Sequence, residues 1–96
     1  MLLEELRTQR EAILAAARAH VARRIRIFGS VARGQETPTS DVDFLVDLPR
    51  GYDLFIQRMP LAEQLARIAG RPVDLIPEHE LNRHLQSAIL AEAIDL

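Results

Sequence analysis

Residues 24–47 read RIRIFGSVARGQETPTSDVDFLVD. The first five residues alternate strictly, which predicts a strand over 24–28 with Ile25 and Ile27 facing the core and Arg24 and Arg26 opposite. Gly29 and Ser30 then interrupt the pattern. Glycine permits the turn and serine is a favoured N-cap, so a short helix is expected over Val31–Arg33, ended by Gly34. ETPTS is a polar loop broken by its proline. Residues 41–47, DVDFLVD, predict a second strand. Val42, Phe44 and Val46 share one face of it, and Asp41, Asp43, Leu45 and Asp47 share the other.

Working outward, residues 2–20 carry Leu3, Leu6, Ile13, Leu14 and Ala17 at helical spacing, and one helix is expected there. Downstream, PRGYD is a turn, followed by a helix over about 54–69 with Leu61, Leu65 and Ile68 as its apolar stripe and Gly70 at its end. Pro60 cannot donate to that helix, so either a kink or a turn followed by a helix starting at Pro60 is expected. Residues 73–76 (VDLI) predict a third strand closed by Pro77. A last helix over about 80–93 would place Leu81, Leu85, Ile89 and Ala93 at four-residue steps. The order is αβαβαβα, a small α/β sheet flanked by helices, whose strand order and direction this pattern does not set.

The 96 residues make one domain, 1–96, with no repeat or linker. About 60–65% of the unfolded surface can be buried at this size, which leaves little room for an internal substrate cavity. An apolar content of 48% with 27% charged residues is that of a globular chain rather than a disordered one. Cysteine is absent, which removes disulfides, thiolate catalysis and thiolate metal ligands. All 12 basic residues are arginine, so no lysine serves as nucleophile or Schiff base. A net charge of −2 argues against a dedicated nucleic-acid binder. No apolar run is long enough for a membrane span or a signal-peptide core, and a cytoplasmic location follows by default.

Chemistry concentrates at three places. Gly29-Ser30 lies where a strand gives way to a helix, Asp41 and Asp43 open the next strand, and Asp74 interrupts the third. Strand residues i and i+2 point the same way with Cα atoms roughly 6.5–7 Å apart, close enough to share a divalent cation. Mg²⁺ favours such oxygen ligands and completes its shell with substrate phosphates. A third carboxylate on a neighbouring strand would complete a two-ion site. Asp47 shares the face but lies about 20 Å from Asp41 along the strand, out of reach. Gly29 allows close backbone approach, and the Ser30 hydroxyl and unpaired N–H groups can hold a phosphate. Arg33 suits a bidentate phosphate contact, or equally a cap or a salt bridge. Tyr52 could stack on a base, although a half-buried surface aromatic is the plainer reading. His20, His79 and His84 show no metal-ligand spacing and read as surface or locally bonded residues.

GSVARG, the ten residues between Ser30 and Asp41, SDVDFLVD and the later PVDLI resemble the DNA polymerase β-like nucleotidyltransferase superfamily. The chain is most similar to its minimal nucleotidyltransferase branch, from the opening helix through the final ILAEAIDL. That resemblance implies a small mixed sheet flanked by helices. It also implies a site in which Gly29 and Ser30 hold the triphosphate of ATP and Asp41, Asp43 and Asp74 bind two Mg²⁺ ions. Asp74 would help activate the attacking hydroxyl. Members of this branch are antitoxins that transfer AMP to a tyrosine of a partner HEPN-domain ribonuclease toxin. Two other readings remain open at this stage: an antitoxin that neutralises its partner by binding alone, and a nucleotidyltransferase acting on a small molecule.

Overall fold

The computed structural model describes residues 2–96. Two short helices open the chain, α1 (Leu2–Thr8) and α2 (Arg10–Ala19), in place of the single helix expected. The break falls at Gln9, whose N–H turns back to the Leu6 carbonyl at 2.9 Å. Leu2 and Leu6 on one side of the break, and Ile13, Ala16 and Ala17 on the other, still reach one core. Beyond α2 the Ala22 N–H bonds the Ala17 carbonyl at 2.9 Å and the Val21 N–H bonds that of Arg18 at 3.2 Å. This is a Schellman closure, with Val21 at φ 59° in the position glycine usually fills.

Strand β1 (Ile25–Phe28) runs directly into α3 (Gly29–Ala32). Strand β2 (Val42–Val46) follows the polar loop. A π-helical turn (Leu54–Arg58) then leads into α4 (Met59–Ala69). Pro60 is second in α4, where a missing N–H costs nothing, so the separate-helix outcome is the one realised. The Asp53 carboxylate starts the turn by accepting from the N–H groups of Phe55 and Ile56 at 2.8 and 2.9 Å. Strand β3 (Val73–Pro77) precedes a 3₁₀ turn (Glu78–Glu80), helix α5 (Arg83–Glu92) and a two-residue strand β4 (Ile94–Asp95).

The four strands lie in the order β3-β2-β1-β4, with β1 antiparallel to both β2 and β4, and β2 parallel to β3. The sheet is therefore mixed, as the resemblance implied, but it has a fourth strand that the expected αβαβαβα order lacks. One face buries Ile25, Ile27, Val42, Phe44, Val46 and Leu75 in a core with Ile13 and Ala16 of α2 and Leu61 and Leu65 of α4. Full burial of such aliphatic side chains is worth about 1.5–3 kcal/mol each. Arg26 and Leu45 lie on the opposite face, yet both are buried, Arg26 in an ion pair with Glu78.

Helix α5 starts at Asn82, whose side chain accepts from the His84 N–H at 2.8 Å, rather than near residue 80. Its expected stripe does not enter the core: no residue of α5 is buried, and Leu85 is 56% exposed. The core face of the sheet is already occupied by α2 and α4. Among the described residues no helix is long and apolar enough to cross a membrane.

Candidate active site

Register places the chemistry. Phe28 pairs with Asp43, so Gly29, the next residue along, lies beside the Asp43 carboxylate. Gly29 has φ 75°, and a Cβ there would overlap Asp43 Oδ2 and come within 3.0 Å of its Cγ. Glycine is required both by the backbone conformation and by this approach. Asp43 in turn pairs across the parallel ladder with Asp74, so two carboxylates stand side by side on neighbouring strands. Asp41 lies one residue before β2 and is exposed.

Burial pushes the Asp43 carboxyl above its ordinary range, and the charges of Asp74 and Asp41 push it further. Arg33 partly opposes them, while Glu92 adds a fourth negative charge. A half-buried carboxylate facing like charges calls for a counter-cation. The all-oxygen donors suit a hard divalent ion such as Mg²⁺. Among the described residues no three acidic or histidine side chains stand together as a ready-made metal cage. The residues thus fit an ion that relies on phosphate oxygens and water for much of its shell, as Mg²⁺ commonly does.

Ser30 differs from expectation. The helix begins at Gly29, preceded by extended Phe28, so Ser30 is its second residue rather than its N-cap. The short polar loop closes back through Gln35 N–H to the Ser30 carbonyl at 2.8 Å. The Ser30 hydroxyl forms no hydrogen bond among the described residues, which leaves it available to a ligand. Gly34 does end α3, donating to the Val31 carbonyl at 3.1 Å.

The chain around this juxtaposition of a glycine turn and three aspartates is similar over most of its length to known proteins. The family model of the nucleotidyltransferase domain fits residues 6–96. The chain belongs to the nucleotidyltransferase domain family.

This nucleotidyltransferase is 35% identical over 77 residues to a Methanocaldococcus jannaschii protein named as a candidate protein adenylyltransferase, covering 80% of this chain and 82% of the relative. It is 35% identical over 72 residues to the protein adenylyltransferase MntA of Thermococcus cleftensis, covering 75% of this chain and 72% of that relative. A solved structure of a candidate minimal nucleotidyltransferase matches with a TM-score of 0.86 at 42% identity, covering 100% of this chain and 97% of that one. A toxin–antitoxin structure with AMP-PNP shares the fold, with a TM-score of 0.75 at 24% identity, covering 90% of this chain and 70% of that one. The α/β fold expected from the resemblance is the one observed.

Two residues that touch the candidate site or its loop escaped the sequence reading. Glu92, the last residue of α5, accepts from the Gly29 N–H at 3.2 Å through one oxygen and forms an ion pair with Arg33 through the other. Arg33 thus makes a long-range ion pair, and its Nε also donates to Gln35 at 3.1 Å. A carboxylate at a helix C-terminus is disfavoured by the helix dipole, and that was the one sequence signal that could have singled out Glu92. Arg71, in the turn before β3, donates to the carbonyls of Thr37 and Ser40 at 2.8 and 3.3 Å, pinning the loop that delivers Asp41. No local pattern marks Arg71 for this role.

Tyr52 does not serve the site. Its hydroxyl donates to Glu80 and accepts from Arg58 at 2.8 Å, at the end of β2 remote from Asp41. His20 bonds its own helix, Nδ1 to the Ala16 carbonyl at 2.9 Å. A groove of about 280 Å³ lined by Arg23, Asp47, Arg50, Glu78 and His79 also lies at that remote end. Its walls are largely self-paired, Arg23 with Asp47 at 3.2 Å and Glu78 with Arg26.

Proposed function

We propose that this chain is a Mg²⁺-dependent adenylyltransferase that transfers AMP from ATP to a hydroxyl, a tyrosine's, on a partner HEPN-domain ribonuclease toxin, and so acts as its antitoxin. One observation carries this reading: Gly29 is pressed against Asp43, which stands beside Asp74 on the next strand. A backbone that can take a phosphate is thereby set against carboxylates that call for a cation. The protein adenylyltransferases among the relatives support AMP as the transferred group and a protein as the acceptor. The toxin–antitoxin assemblies that share the fold support a toxin partner. Dependence on ATP puts this chemistry in the cytoplasm.

In this reading the Gly29 N–H, the Ser30 hydroxyl and the Arg33 guanidinium hold the triphosphate. Asp41, Asp43 and Asp74 hold two Mg²⁺ ions, which when bound polarise the α-phosphate and stabilise the attacking and leaving oxygens. Asp74 is exposed on the edge strand, open to an acceptor arriving from outside, and takes the proton of its hydroxyl. The new bond joins that oxygen to the α-phosphorus, and the bond to the bridging oxygen breaks, releasing pyrophosphate. The thin core leaves acceptor recognition to the partner's surface.

The test is to incubate the chain with the product of its neighbouring gene, ATP and Mg²⁺, and to measure intact masses. AMP-sized increments on the partner, lost with Asp41→Asn combined with Asp43→Asn, are the expected result. No increment while the two proteins bind would refute transfer. Full neutralisation by the double variant would make the chain an antitoxin by binding alone.

A further inference from the structure

We propose that Glu92 is a resident occupant of the phosphate cradle, and that nucleotide binds by exchange, taking the Gly29 N–H and the Arg33 guanidinium from the Glu92 carboxylate. This rests on the reading that those donors hold the triphosphate. The carboxylate already does what a phosphate would do, placing one oxygen on the Gly29 N–H at 3.2 Å and the other on Arg33. Gly29 is buried, and a buried N–H needs an acceptor, which Glu92 supplies. In every other respect the position suits an anion poorly. Glu92 faces Asp43 as a like charge and ends a helix, where the dipole disfavours negative charge. Only the two donors keep it there.

Exchange demands little of the fold. The Glu92 side chain is 22% exposed and can swing outward, while β4 beyond it stays paired to β1. A seated Glu92 and a triphosphate exclude one another by space and by charge. Apparent affinity is therefore lowered by the fraction of molecules in which the cradle is free. If Glu92 is seated about nine-tenths of the time, removing it tightens binding about tenfold.

The test compares Mg²⁺·AMP-PNP binding to the wild-type chain and to Glu92→Ala by calorimetry, and follows the Glu92 carboxyl ¹³C and Gly29 amide resonances of the wild type through the same titration. Expected are binding about tenfold tighter to the variant and, in the wild type, a Glu92 carboxyl signal that moves to a solvent-exposed value together with Gly29. Equal or weaker binding by the variant overturns the exchange, because Glu92 then serves to position Arg33. A Glu92 signal unmoved at saturation overturns it independently of the variant's behaviour. If AMP-PNP binds neither protein, the nucleotide reading of the cradle itself fails, and the exchange with it.

Discussion

Gly29 answers to two constraints at once, a positive φ and the approach of Asp43, and the two can be separated. Gly29→Ala is expected to cost about 1–2 kcal/mol from the left-handed backbone alone, and more from the overlap. In an Asp43→Ala background the overlap with the carboxylate is gone and the same change is expected to cost the backbone part plus a tight 3.3 Å contact with the remaining Cβ, a coupling that urea unfolding of the double-mutant cycle measures. Val21 is the opposite case, a β-branched residue at φ 59° with nothing gained. Val21→Gly is expected to raise stability by about 1 kcal/mol, read as a higher urea midpoint. Asp43 stands among like charges, so Asp43→Asn should raise the urea midpoint of the metal-free chain while abolishing transfer. Gly29 and the aspartates were legible because their residue types are costly unless used. Glu92 and Arg71 were not, because a lone charge on a helix end or in a turn is commonly solvated.

At the level of elements, the strands of the core and α2 and α4 follow from period and punctuation, since each buries one face. Helix α5 obeys the same period without burial. Leu85→Asp is therefore expected to change stability by less than about 0.5 kcal/mol. Leu65→Ala, by contrast, should cost about 2–5 kcal/mol in the same unfolding assay. The two-residue β4 was invisible in the sequence, being too short to show alternation. It is held to β1 by Arg24, whose Nε and Nη2 donate to the Asp95 carboxylate at 3.1 and 2.6 Å. That hydrogen-bonded pairing keeps the Asp95 carboxyl below its ordinary value of 3.8. The contribution is present in full above the ordinary carboxylate range and is lost as pH falls through the lowered value. Protection of the β4 amides, relative to their intrinsic exchange at each pH, should accordingly fall below about pH 4 before the core strands respond.

For the whole molecule, ligand linkage is the decisive measurement. Mg²⁺·AMP-PNP at a hundred times its dissociation constant should stabilise the fold by about 2.7 kcal/mol, seen as a rise in melting temperature. That rise should vanish in Asp43→Asn. By itself the sequence determined the α/β class, the elements lining the core and the residue types of the site. Apolar periodicity and the cost of burying charge are local properties of the chain. Only the tertiary structure decided the strand order, the fourth strand, the seating of Glu92 on Gly29 and Arg33, and the solvent exposure of α5. The seating of Glu92 depends on contacts across 59 and 63 positions of sequence, and the fourth strand on pairing with β1 from the other end of the chain, between groups whose neighbours carry no trace of the pairing.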